Sequence, residues 1–374
     1  MHVSDVVRVM ETLAPPELAE SWDNVGLLVG DASAPVRRVL LCVDVTDEVL
    51  AEAVETRAGM IVAHHPPIFR PVGRITAAEA PVAYRAARRG IALYAAHTNL
   101  DAAPGGTNDA LADALGLADR RPLQPACRDG QAKIVVFVQP DNMPRVAGAA
   151  FAAGAGRIGN YSDCAFFSHG IGSFFGRPGS SPAVGAAGRH EAAEELRLEV
   201  ICPRGKVAAV LAAVRAAHSY ETPAIDVYPL LDLPAGAGNG RVGRLPRPVT
   251  VRTLAERLKR AAGAARALLA APQHGRAARA DGRGRLVATA ACCAGAGASA
   301  WRDALAAGAA LYATGEMDHH AAGAAAAAGL TVLCLGHGNS ERLVLPSLAR
   351  RLAAALPALR VAASKRDRDP YQTI

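Results

Sequence analysis

Aromatic residues are scarce in this chain: Phe, Trp and Tyr make up only 4% of its 374 positions. Stacking platforms for single-stranded nucleic acid need repeated π-faces, so few can be built here. Long apolar runs are missing as well. No stretch reaches the roughly 18 residues expected of a membrane-spanning helix. The first residues, MHVSDVVRVMETL, form an amphipathic helix with acidic positions, which is not the basic start and apolar core of a signal peptide. The chain therefore reads as cytoplasmic, with no membrane partner. C-x-x-C spacings are also absent. The seven cysteines, Cys42, Cys127, Cys164, Cys202, Cys292, Cys293 and Cys334, fall mostly in apolar strand-like runs. Buried reduced thiols account for them better than disulfides or thiolate metal sites.

Hydrophobic residues make up 51% of the chain and charged residues 20%. That balance suits a soluble globular protein and argues against disorder. The length allows two or three domains of ordinary size. The formal charge of +7 is carried mostly by arginine, and runs such as GRAARADGRGR at 275–285 look compositional. A basic balance permits a nucleic-acid or phosphate partner without identifying one.

Short continuous apolar runs, RRVLLCVDV (37–45), GMIVA (59–63) and GIALYAA (90–96), predict strands, with a helix over PVAYRAARR (81–89). Buried strands alternating with helices imply an α/β layer architecture. Thr107 is a plausible N-cap for a helix over NDALADALGL. Between about 130 and 230 the texture changes: KIVVFVQ, a helix at PRVAGAAFAAGAG, a Gly- and Ser-rich middle, then EELRLEVICP, KVAAVLAAVRAA and AIDVYPL. Strand–helix–strand twice over about 100 residues reads as a ferredoxin-like α+β module. After 245 the α/β texture returns with a helix at VTVRTLAERLKRA. Strands follow at RLVATAACC, AALYAT (309–314) and TVLCLG (331–336), with an alanine-rich helix around 320–328. A last helix is interrupted by Pro346. The expected partition is an α/β half at 1–128, an inserted module at 129–235 and a second α/β half at 236–374.

Metal-type ligands cluster where these strands end, the place where sites gather in α/β folds. His64 and His65 close the second strand. Neighbours in a strand point to opposite faces, so both converge only where Pro66-Pro67 turns the chain out; the alternative is one functional histidine with an incidental neighbour. His97 and Asp101 share a loop, HTNLD, that capping by Asn99 and Asp101 would also explain. His337 and Glu341 lie in GHGNSE, where Gly336 and Gly338 allow close backbone approach. If a helix begins at Ser340, Glu341 sits in its first turn, where a capping carboxylate is the alternative. Thr314-Gly315-Glu316 with Asp318, His319 and His320 suits hydrogen bonding to metal ligands better than ligation. His218, Tyr220, Glu221 and Asp226 in HSYETPAID fit an ordinary helix-to-strand turn better than a site. Imidazole and carboxylate together suit borderline divalent metals.

In their order along the chain these motifs resemble the Nif-three-like dinuclear-metal hexamer family, whose bacterial members carry the name GTP cyclohydrolase I type 2 homologue. The resemblance runs through SWDNVGLLVG (21–30), LCVDVT (41–46), VAHHPPIF (62–69), HTNLDAAPGGTND (97–109), TGEMDHH (314–320), GHGNSE (336–341) and RDRDPY (366–371). GAGRIGNYSDCAF (154–166) and HSYETPAIDVYPL (218–230) resemble the PII-like or CutA-like insertion of longer members. The resemblance implies two related α/β halves and two divalent ions per subunit, of zinc, iron or manganese. It implies His64, His65, Asp101, His337 and Glu341 as ligands, a carboxylate bridging the ions, and His97 lining the same pocket. It further implies a homohexameric ring, capped by trimers of the inserted module. Pro67, Glu316 and the AGAG turn at 294–297 depart from the family pattern, and none is one of the five ligands.

Two ions held this way would activate water and clamp both oxygens of a displacement. The expected function is metal-dependent hydrolysis of a nucleotide or another phosphorylated small molecule, with His97 as the proton-transfer group. Two other classes remain open: a non-catalytic regulatory or nucleic-acid-binding ring, recognisable by salt-dependent polyanion binding, and a metal storage or insertion protein.

Overall fold

The computed structural model describes residues 1–126, 131–230, 236–272 and 284–371. The expected junctions at 128–129 and at residue 235, Cys127, and positions 275–283 of the arginine-rich run lie outside the described residues. The chain divides into two compact units, Met1–Ala126 with Ala235–Ile374, and Cys127–Pro234.

The first unit holds two sheets. One is five-stranded, in the order Gly26–Val29, Ala92–Ala95, Met60–Ala63, Arg38–Cys42, Arg360–Ala363, parallel except for its first strand. Alternation along Arg38–Cys42 divides its side chains between two cores. Val39 and Leu41 pack on one face with Val6 and Met10 of the helix Val3–Leu13 and Leu348 and Leu352 of the helix Leu345–Ala355. Leu40 and Cys42 pack on the other with Val49, Leu50 and Ala53 of the helix Asp47–Glu55. A sheet covered on both faces needs strands apolar throughout, which is why these runs show no alternation in sequence.

The other sheet is six-stranded, ordered Leu268–Ala270, Thr331–Cys334, Leu311–Glu316, Leu286–Ala296, Gly238–Thr250, Ala118–Pro125. Leu111 and Leu115 of the helix Thr107–Leu115, with Leu254 and Leu258 of the helix Val251–Ala262, cover one face. Trp301, Tyr312 and Ala325 lie in the core on the other. Edge strands are exchanged between the halves: Arg360–Ala363 from the C-terminal end pairs with Arg38–Cys42, and Ala118–Pro125 pairs with Gly238–Thr250.

A buried ion pair ties residues of the two halves together. Arg241, 2% exposed, donates through Nε and Nη2 to both oxygens of Asp109 at 3.0 and 2.8 Å. Its remaining donors reach the carbonyls of Gly238, Gly240 and Ala103. Fork-to-fork geometry with every donor filled is the condition under which a buried charge is tolerated.

The second unit is a four-stranded antiparallel sheet, ordered Ala165–Phe175, His190–Pro203, Gln131–Val138, Ile225–Leu230. With the helices Met143–Ala152 and Val207–Ala217 it has the βαββαβ succession of a ferredoxin-like fold. The Gly- and Ser-rich middle, where the sequence predicts no element, in part forms a long hairpin, with Ala165–Phe175 paired along its whole length to His190–Val200. His218 is buried, donating from Nε2 to the Phe137 carbonyl and accepting at Nδ1 from the Tyr220 amide. Both ring nitrogens of His218 are thus engaged, while the Tyr220 hydroxyl is buried without a hydrogen-bond partner.

Among the described residues no helix is long and apolar enough to cross a membrane, and the six cysteines described are all free.

Candidate metal centre

Three strand ends and two short helices build the site in the first unit. The strand Met60–Ala63 ends one residue before His64, whose amide still donates to the Cys42 carbonyl, and the His65 amide to that of Val43. Asp101 lies on the short helix Thr98–Ala102 rather than in a loop, one turn after His97, which precedes that helix. The helix carrying Glu341 starts at His337, not at Ser340, so His337 and Glu341 are one turn apart on one face. Gly336, at φ +99°, makes the turn from the strand Thr331–Cys334 into that helix. Thr107 is the first helical residue, not the cap. Its hydroxyl donates instead to the Asp101 carboxylate, while the Asn108 side chain donates to the Asp101 carbonyl.

These elements bring all six expected residues together. His65 Nε2 lies 3.3 Å from Glu341 Oε2, and His337 Nε2 lies 3.1 Å from Glu341 Oε1. His64 Nε2 is 3.6 Å from both Glu341 Oε1 and Asp101 Oδ1. Two trios have ligand atoms within 4.8 Å of one another: His64, His65 and His97, and His65, His337 and Glu341. His97 thus stands as close to the centre as the expected ligands do. Asp101 is in neither trio and approaches through His64.

Each of the four histidines is anchored at Nδ1. His64 donates to the Ala96 carbonyl at 2.9 Å, His65 to Asp44 at 2.8 Å, His97 to Asp23 at 2.9 Å and His337 to Glu316 at 3.0 Å. All four partners are oxygens that only accept, so Nδ1 carries the proton and the Nε2 lone pair is free in the neutral ring. Outer hydrogen bonds that set tautomer and ring orientation accompany metal-ligating histidines. Glu316 makes the hydrogen bond to His337 that its position suggested. Asp23 and Asp44 went unassigned in the sequence, although both lie within motifs singled out there.

Electrostatics favour positive charge at the centre. Burial works against a charged His65, yet the Asp44 hydrogen bond and the Glu341 carboxylate beside the ring push its pKa up to about 10. The Glu341 hydrogen bond raises His337 to about 9. Burial alone would raise Glu341, which is 3% exposed, but the surrounding histidines hold it well below the usual carboxylate range. Burial raises the pKa of Asp101. His64 Nε2 and Glu341 Oε2 are buried without a hydrogen-bond partner, and such atoms are costly unless something meets them. A divalent cation satisfies both atoms and the charge demand, so the residues fit one. Gly295, at φ +65°, gives the carboxylate its room: a Cβ there would lie 2.5 Å from Glu341 Oε1.

One wall is aromatic. Trp22 and Phe69 are exposed and meet edge-on at 5.9 Å, and His97 lies 6.2 and 6.4 Å from them.

Sheets clad in helices, with imidazoles and carboxylates converging at strand ends, define an α/β protein with a centre suited to a divalent ion. The sequence profile of the Duf34/NIF3 (NGG1p interacting factor 3) family matches residues 1–370, and the chain belongs to that family. A Mycobacterium bovis protein named GTP cyclohydrolase 1 type 2 homolog is 40% identical over 329 residues, covering 86% of this chain and 83% of the relative. A Bacillus subtilis protein of the same name is 40% identical over 252 residues, covering 67% and 68%. Among solved structures, a Bacillus cereus protein related to NIF3 is 35% identical with a TM-score of 0.67, covering 100% of this chain and 99% of that one. A Staphylococcus aureus protein is 25% identical with a TM-score of 0.75 and the same coverage.

Proposed function

We propose that the cluster is a dinuclear divalent-metal centre that hydrolyses a nucleotide or another phosphorylated small molecule. His64, His65, Asp101, His337 and Glu341 are its ligands. The observation that carries this is the anchoring of four imidazoles at Nδ1, which leaves the Nε2 lone pairs free beside a buried carboxylate. Glu341 would serve both ions, since its Oε1 lies toward His64 and His337 and its Oε2 toward His65. Zinc, iron and manganese all accept this ligand set.

When bound, two such ions supply Lewis acidity and a template for displacement at an electrophilic centre. The chain's own residues supply orientation and proton transfer. His97 holds its Nδ1 proton against Asp23, so Nε2 is free to take a proton from a nucleophile or return one to a leaving group. Burial opposes the charge on Asp23, but hydrogen bonds from His97 and Thr98 hold it well below the usual carboxylate range, so it stays an acceptor. The name carried by the relatives makes GTP the first substrate to try. A metal-replete Asp101→Ala protein that keeps full hydrolytic activity would count against the mechanism. Freely exchanging ions with no turnover would point to metal storage.

A homohexameric ring is the assembly that goes with this reading, with residues 129–235 as an inserted module forming trimeric caps. Exposed apolar side chains in the second unit, Phe166, Phe167, Ile171 and Tyr228, support contact between copies. Light scattering on the purified protein tests it: a monomer at micromolar concentration removes the ring.

A further inference from the structure

Beside the centre lies a cavity of about 510 Å³ that the hydrolytic chemistry does not use. Its volume is in the range of small-molecule sites. His337 and Glu316 stand on its wall, so it opens alongside the candidate metal ligands. Its other walls come from residues 262–268 and from the C-terminal stretch that includes Arg368 and Tyr371.

The polar groups lining it are unevenly satisfied. Its three acids are engaged: Glu316 accepts from His337, Asp367 from Arg342 and the Val43 amide, and Asp369 from Asn339 and the Tyr371 amide. Its arginines are less fully engaged, Arg342 donating only through Nη2. Among the described residues the side chains of Arg266 and Arg368 have neither an ion-pair nor a hydrogen-bond partner, and Arg342 leaves Nε and Nη1 buried and unmatched. Three acids and three arginines roughly cancel in formal charge. What distinguishes the cavity is two solvent-facing arginines without a protein acceptor, Arg266 and Arg368, beside the buried unmatched donors of Arg342 and acids that are already engaged. Guanidinium groups only donate, in a fork matched to phosphate and carboxylate.

We infer that this cavity binds the phosphate end of a mononucleotide-sized phosphorylated molecule through Arg266 and Arg368, with the rest of that molecule reaching His337. The direction in which the ligand lies rests on the dinuclear-centre reading; the anion binding does not. A long polyanion is disfavoured because the donors line a bounded cavity rather than a continuous stripe.

Calorimetric titration of GMP, guanosine and inorganic pyrophosphate tests this on the full chain, both metal-loaded and chelator-stripped, with bound metal measured in every sample. Arg266→Gln and Arg368→Gln should each weaken GMP and pyrophosphate binding by roughly tenfold, the scale of one charge-assisted hydrogen bond. Guanosine binding should be unchanged, and Arg368→Lys should recover part of the loss. The inference is overturned if the wild type binds neither anion at millimolar concentration, if the glutamine variants bind GMP like wild type, or if guanosine binding falls equally. Salt-sensitive binding of a 20-nucleotide RNA that GMP does not displace would overturn it too. Protein that loads metal without arginine-dependent anion binding sinks this inference alone. Arginine-dependent binding in protein that loads no metal sinks only the dinuclear reading.

Discussion

Replacing Asp44 by alanine removes no proposed ligand yet should weaken the metal site. Its Oδ1 accepts the Nδ1 proton of His65 at 2.8 Å, and that bond selects the tautomer whose Nε2 lone pair faces Glu341. Without it the ring is free to rotate and to carry its proton on Nε2. Loss of such an outer partner typically costs ten- to a hundredfold in affinity, about 1.4–2.7 kcal/mol. Asp44→Asn should fall between wild type and alanine, because an amide oxygen still accepts from Nδ1 but without charge. Stability of the metal-free fold should change by less than about 1 kcal/mol. The Asp44 side chain is 40% exposed, and Arg342, 3.6 Å away, keeps its 2.8 Å contact with Asp367. The assay is competition for zinc or manganese against a chromophoric chelator, with a thermal melt of each stripped variant. Affinity within twofold of wild type in both variants, with the fold intact, would refute the claim that His65 is an oriented ligand.

Other outcomes follow from the same geometry. Arg241→Ala strands the buried Asp109 carboxylate and should cost about 3–5 kcal/mol, seen as a melting temperature lower by roughly 10 °C; a shift under 2 °C would contradict it. Burial would raise Asp109, but Arg241 holds its pKa below the usual value. The folded pKa is therefore the lower one, and the pair's contribution is present above the unfolded value of about 3.9 and lost as pH falls through the folded one. The stability gap between wild type and Arg241→Ala should accordingly narrow in acid, and a gap constant from neutral pH down to about pH 2 would argue against the pair. Gly295→Ala forces a left-handed backbone, at roughly 1–2 kcal/mol, and drives a methyl group against Glu341. Metal content should drop more steeply than stability, and normal loading would exclude Gly295 as a spacer.

The strands Arg38–Cys42, Met60–Ala63, Ala92–Ala95, Leu286–Ala296, Leu311–Glu316 and Thr331–Cys334 were legible because burial on both faces demands unbroken apolar runs. His64, His65, His337 and Glu341 were legible because each follows such a run. What escaped was tertiary. Asp23 and Asp44 meet their histidines across 74 and 21 residues, and nothing local marks a carboxylate as an imidazole's anchor. The strand Ala165–Phe175 escaped because almost all of its residues are exposed, and an edge strand without a buried face shows no period of two. Local chemistry read Thr107 as a helix cap and placed Asp101 in a loop, whereas their hydroxyl–carboxylate bond depends on two short helices packing together. The exchanged strands Arg360–Ala363 and Ala118–Pro125 follow from sheet pairing between distant segments, which no window of sequence contains.

The most direct test of the centre is the metal content of purified protein beside Glu341→Gln, measured by elemental mass spectrometry. The dinuclear account expects about two divalent ions per wild-type chain and loss of both when the shared carboxylate is neutralised. A folded wild-type protein that takes up no ions from a metal-replete medium, or a glutamine variant that keeps both, would contradict it.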